Sequence, residues 1–186
     1  EITTRLVGSE MCIRDRGQAG AFVVDAATES TAVEISTYEQ FAAFAKAVNA
    51  GTAESYASVK LTADITIPAG TTWTPIGSAA NPYTGVFDGD GHTVSGLTAS
   101  ITAAEYNAEN DSVPFGLFGQ TQGATIKNLK MSNVEISGSA GSGSGILCGR
   151  SIATTISGCT IDNSCTFNGN TAMVGGLGCM LIESTV

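Results

Sequence analysis

The chain has 186 residues, with 17 Asp and Glu against 8 Lys and Arg, one His, and a net charge of −9. So acidic a chain lacks the clustered Lys and Arg that phosphate neutralisation needs, which excludes nucleic acid as a partner, and no apolar run approaches the ~20 residues that span a bilayer. Charged residues are only 13% of the chain and Gly numbers 23, with Ser and Thr filling much of the rest, a composition suited to stacked strands and tight turns.

From the N-terminus, Leu6-Val7-Gly8-Ser9-Glu10-Met11-Cys12-Ile13-Arg14-Asp15-Arg16 resembles the in-frame translation of a sequencing adapter and has neither strand nor helix periodicity. Glu1 to Arg16 is therefore read as foreign, which leaves Lys46, Lys60, Lys127, Lys130 and Arg150 as the basic residues. Residues 17–35 read as a linker or edge strand. Within them, Gln18 to Val24 fits either the tail of a signal segment or a strand. Ser36 or Thr37 then opens a capping box, with Glu39 or Gln40 three residues on. Phe41, Phe44, Ala45 and Val48 recur at helical spacing and Asn49-Ala50-Gly51 supplies a stop, predicting a helix from about Tyr38 to Asn49. Residues 36–51 are expected to cap the open end of a strand stack, because solenoids need a polar-faced end for solubility. Strands are predicted next at Val59 to Thr62 and Ile65 to Ile67.

An internal repeat organises the remainder, residues 52–186. Leu117, Leu147 and Leu177 lie in steps of 30, with Phe87 a further 30 upstream, and Ile126, Ile156 and Val186 keep the same step. Ile126, Leu129, Met131, Val134 and Ile136 are predicted to point inward, while Lys127, Lys130, Ser132 and Glu135 point out. Bends are expected at Asn128 and Gly158, and Asn133 and Asn163 are expected at corners where they could stack as an Asn ladder. Units this small cannot bury their own apolar faces, so the fold predicted is all-β, a right-handed parallel β-helix of ~30-residue repeats with a short N-terminal capping helix. The strand pattern is still running at Val186, so the solenoid is expected to continue beyond it.

Gly116-Leu117-Phe118-Gly119, Gly145-Ile146-Leu147-Cys148-Gly149 and Gly175-Gly176-Leu177-Gly178 resemble the GLUG motif of bacterial surface proteins. The upstream stretches Trp73 to Gly77 and Tyr83 to Leu97 resemble the segment that precedes such repeats in adhesin-like proteins. Ile146, Cys148 and Gly178-Cys179 depart from the usual pattern. The resemblance implies a secreted or cell-surface protein with an adhesion or scaffold role, needing no cofactor, whose partner is a host or bacterial glycan or surface protein. Related β-helical regions also precede the catalytic domain of some immunoglobulin A metallopeptidases, so an accessory region of a secreted metallopeptidase is one alternative. A polysaccharide-active β-helix enzyme is another.

Candidate chemistry is sparse. Asp88 and Asp90, beside Gly89 and Gly91, could chelate calcium, but His92 occupies the third ligand position and no Glu follows at the required distance. The competing reading is a tight corner whose side chains bond the backbone. His92 is the only histidine, His-Glu-x-x-His is absent, and Gly141-Ser142-Gly143-Ser144-Gly145 reads as a Gly/Ser loop rather than a nucleophile elbow. Glu135 and Asp162 sit in offset columns, unlike the paired acids of a glycosidase. No catalytic residue is assigned. Cys148, Cys159, Cys165 and Cys179 permit three disulfide pairings, with buried free thiols favoured over any of them. Trp73, Tyr83 and Tyr106 are candidates for stacking on sugar rings, though Trp73 equally suits the core beneath the cap. An insertion from Ala99 to Val113, carrying Tyr106, interrupts the repeat on what is expected to be a binding face.

Overall fold

A computed structural model describes residues 32–101, 115–138, 143–169 and 173–186. Strand β1 (Val33–Ile35) leads into helix α1 (Tyr38–Asn49) through the Thr37 capping box. The Thr37 hydroxyl accepts the Gln40 N–H at 3.3 Å and the Gln40 side chain accepts the Thr37 N–H at 3.2 Å, satisfying donors that every helix start leaves open. Phe41, Phe44, Ala45 and Val48 form the buried stripe of α1.

The chain then winds through about four turns of parallel strands. The first turn holds β2 (Ser58–Leu61) and β3 (Ile65–Thr66), followed by an irregular run in which only Ile76 and Tyr83 bridge to the next turn. The second holds β4 (Val86–Asp88), β5 (Thr93–Ser95), β6 (Thr98–Ile101) and β7 (Phe118–Gln122). The third holds β8 (Thr125–Lys127), β9 (Lys130–Ser132), β10 (Glu135–Gly138), β11 (Gly143–Gly145) and β12 (Cys148–Ile152). The fourth holds β13 (Thr155–Ser157), β14 (Thr160–Ile161), β15 (Thr166–Gly169), β16 (Met173–Gly175) and β17 (Gly178–Ile182). Each strand pairs with its counterparts one turn away, giving sheets ordered β1-β2-β4-β8-β13, β3-β5-β9-β14, β6-β10-β15, β11-β16 and β7-β12-β17.

The predicted alternation holds in the third turn, where Ile126, Leu129, Met131, Val134 and Ile136 are buried and Lys130 and Glu135 are exposed. Asn128 (φ 54°) and Gly158 (φ 61°) make the expected left-handed bends. A second left-handed corner repeats at Gly123 (φ 64°), Ala153 (φ 47°) and Glu183 (φ 49°). At the other end, the Phe41 ring stacks on Trp73 at 5.5 Å, and Phe44 lies 5.8 Å from Phe87 and 5.4 Å from Tyr83. Helix α1 therefore closes the apolar end of the core with aromatic contacts.

Three expectations need correction. Phe87 pairs with Val59 and Ile126, not with the leucine column, so its 30-residue offset from Leu117 is coincidental; Ile76, bridged to Phe118, stands nearest that column in the first turn. The Asn ladder is not formed: Met131 pairs with Ile161 at an offset of 30 but Glu135 pairs with Thr166 at 31, so one extra residue separates the corners. Asn133 is left-handed (φ 48°), and its N–H donates to Ser164 Oγ at 2.7 Å instead. Finally, Gly143 to Gly145 is strand β11 rather than loop, with Ser144 fully buried.

Candidate functional site

The corner after β4 gathers most of the ionisable groups that sequence singled out. Asp88 Oδ1 accepts the Asp90 N–H at 2.9 Å and the Asn128 side-chain amide at 3.1 Å, while Oδ2 lies 3.0 Å from Lys127 Nζ. Burial pushes the Asp88 carboxyl up, but the Asp90 N–H, Lys127 and Asn128 outweigh it and hold the group below the usual carboxylate range. Asp90 reaches the other way, to Lys60 Nζ at 3.0 Å, and this bond raises the Lys60 ammonium above its ordinary value. The two carboxylates thus point at different lysines, and Asp88 performs the backbone-bonding task of an Asx turn. Among the described residues no group of three or more His, Cys, Asp or Glu converges as a metal site.

His92 belongs to the same corner. Its Nδ1 lies 3.3 Å from Asp64 Oδ1, which also accepts the Thr93 N–H at 2.9 Å. The Thr93 N–H, then His92, hold the Asp64 carboxyl below its ordinary value. Sequence reasoning missed Asp64 because its partner is 28 residues away, one full turn of the solenoid. Seen along the sheet, Glu34, Lys60, Asp88 and Lys127 occupy successive positions of one outward column.

The aromatic candidates divide differently. Trp73 is 6% exposed and Tyr83 2%, so both are core residues rather than free stacking platforms. Trp73 lends one face to Phe41, and its indole N–H donates to the Leu117 carbonyl at 3.3 Å. Tyr83 stacks on Phe118 at 5.6 Å, and burial pushes its phenol far up. Tyr106 and residues 102–113 of the insertion lie outside the described residues.

Inside the third turn Ser151 Oγ donates to Cys148 Sγ at 3.0 Å, and between turns Thr121 and Thr154 share a hydroxyl bond at 3.0 Å. Burial pushes the Cys148 thiol up, which suits a small core residue rather than a nucleophile. Cys148, Cys159 and Cys165 carry free thiols.

A groove of about 710 Å³ opens between the irregular run after β3 and strand β6. Thr71, Trp73, Pro75, Thr98, Ser100 and Phe115 are among its lining residues, and none of the described lining residues is ionisable. No single-sequence signal marked it, because Thr71 to Pro75 and Thr98 to Ser100 meet only when the turns stack.

The arrangement defines a parallel β-solenoid with an internally paired charged corner and a groove whose described lining is uncharged. No protein-family model matches the chain, and no curated protein or solved structure matches it either. Among the described residues no helix is long and apolar enough to cross a membrane, which says nothing of β-barrels.

Proposed function

We propose that this chain is a binding or scaffold region of an exported bacterial surface protein, in the manner of GLUG-repeat adhesins, and that it acts without catalysis or cofactor. The observation that carries the reading is the pairing of the ionisable corner: Asp88 with Lys127, Asp90 with Lys60, and Asp64 with His92. Groups so engaged hold the turns together, whereas a glycan-cleaving or metal-dependent site needs convergent carboxylates directed at a ligand. The groove beside β6, uncharged among its described residues, offers a face for recognition of a glycan or surface protein. Antibody raised against residues 32–186 should label intact cells of the source bacterium, and the label should vanish after protease shaving. Label appearing only after lysis would overturn export, and cleavage of any neutral or acidic glycan by the purified protein would overturn the non-catalytic role.

A further inference from the structure

A second pocket, of about 460 Å³, lies between the 3-10 turn Glu54–Tyr56 ahead of β2 and the run Asn81 to Thr84 ahead of β4. Glu54, Tyr56, Asn81, Pro82, Thr84 and Thr125 are among its lining residues. All lie inside the described stretches 32–101 and 115–138, and β1, where the described chain begins, is on the side of β2 away from β4. The walls are held from behind. The Tyr56 ring packs on Phe44 at 5.4 Å, and the Tyr56 carbonyl accepts the Tyr83 hydroxyl at 3.5 Å. The Asn81 side-chain amide donates to the Asn49 carbonyl at 2.9 Å, and the Asn81 N–H to Ser78 Oγ at 3.2 Å. The Val86 N–H donates to the Ala57 carbonyl at 2.8 Å and the Thr125 N–H to the Gly85 carbonyl at 3.0 Å, which laces together the three segments around the pocket.

These bonds leave the polar groups of the lining free to meet a ligand. Among the described residues, the Glu54 carboxylate, Asn81 Oδ1 and the Thr84 and Thr125 hydroxyls have no hydrogen-bond or ion-pair partner. No Lys, Arg or His is among the described lining residues. An aliphatic ligand would bury these groups unpaired, and an anionic one would meet Glu54 with no cation to offset it. A sugar ring matches the set, because its C–H face suits an aromatic side chain while its hydroxyls donate to carboxylate and amide oxygens and exchange bonds with Thr. The volume falls within the ~300–1,000 Å³ of small-molecule sites. We propose that this pocket binds a neutral sugar ring of a glycan, stacked on Tyr56 and hydrogen-bonded to Glu54, Asn81 Oδ1 and Thr84. The inference rests on the reading of this region as a binding module and adds a sugar site apart from the groove beside β6.

The test titrates the whole isotope-labelled chain with the methyl glycosides of glucose, galactose and mannose, up to tens of millimolar. At least one should shift the amide signals of residues 53–57 and 81–85. Glu54→Gln, at an exposed position, exchanges a charged acceptor for a neutral one and should weaken that glycoside about fivefold. Thr84→Val, also exposed, removes a hydroxyl that makes no bond within the described fold and should weaken it about threefold or more. The corresponding uronide should bind the parent at least about fivefold more weakly than the glycoside and regain affinity in Glu54→Gln. The proposal is overturned if none of the glycosides moves those signals, if both variants bind like the parent, or if the uronide binds as tightly as the glycoside. It is also overturned if the shifts map to residues 71–75 and 98–100 instead, a result that leaves the binding role itself standing. Surface labelling is read separately, so failure of this site is distinct from failure of the wider reading.

Discussion

Replacing Gly145 by alanine tests why the repeat carries glycine where the backbone folds closely on itself and on the next turn. A Cβ on Gly145 would stand 2.3 Å from the Cys148 carbonyl oxygen and 3.0 Å from Gly178 Cα, both backbone atoms. The strand cannot simply retreat, because the Gly145 N–H is bonded to the Phe115 carbonyl at 2.9 Å and the Ile146 N–H to the Gly176 carbonyl at 3.0 Å. Relieving the contact requires a shift of about 1 Å in a close-packed stack, a degree of overpacking that costs about 2–3 kcal/mol. For a domain of this size, that lowers the melting temperature by about 4–12 °C. Gly176, one residue along in the next unit, is the control: a Cβ there meets nothing within 4 Å. Gly176→Ala should change stability by no more than about 0.5 kcal/mol, tilted toward gain through the unfolded chain. Urea unfolding followed by far-UV circular dichroism, extrapolated linearly to water, measures both. Equal stabilities for the two variants would refute the idea that close backbone contact, first with Cys148 of the same turn and then with Gly178 of the next, sets the glycine requirement.

Phe44→Ala opens a fully buried site beneath the helix and should cost about 3–5 kcal/mol, with hydrogen exchange showing protection lost first in β2 and β4 and retained in β12. Ala153→Gly should stabilise by up to about 1 kcal/mol in thermal melts, because Ala153 is held at φ 47° where the preceding turn has Gly123 at φ 64°. Asp64 and Asp88 both ionise more readily in the fold than in the unfolded chain. Their stabilisation is present above the unfolded carboxylate pKa of ~3.9 and is lost as pH falls through the lower folded values. Melting temperature should therefore drop below about pH 4, and less steeply in Asp88→Asn; an unchanged slope in that variant would contradict the assignment. Asp88 should dominate, since the Asp64 side chain is 70% exposed and screened by solvent.

Much of the architecture was legible because the solenoid writes its core as a period. Ile126, Leu129 and Met131 recur as Ile156, Cys159 and Ile161, and the gap between Ile126 and Leu129 marks the bend at Asn128. The helix was equally plain, since a capping box and an apolar stripe are local signals. What sequence obscured was registration between turns. Phe87 has the right chemistry at a 30-residue spacing from Leu117 but sits in another column, because the first two turns are offset by 28 residues and the next two by 39. The extra residue between Ile161 and Thr166 separated the two asparagines, and the pattern of apolar residues did not reveal it. Strand β11 was hidden because Gly-Ser-Gly carries no apolar side chain to announce it. The groove was the least legible feature, because Thr71 to Pro75 and Thr98 to Ser100 meet only across turns.

The outward column Glu34, Lys60, Asp88, Lys127 has a consequence for how the stack assembles. Inside, Val59, Phe87 and Ile126 are all apolar, so burial alone does not dictate which turn lies beside which. The charges do discriminate. If β4 were passed over and β2 lay against β8, Lys60 would face Lys127; if β1 lay against β4, Glu34 would face Asp88. Like charges directly opposite on adjacent strands disfavour a pairing, so the alternation disfavours passing over β2 or β4. A chain built of near-equivalent windings thereby keeps them in sequence, through a surface column that contributes little to its core.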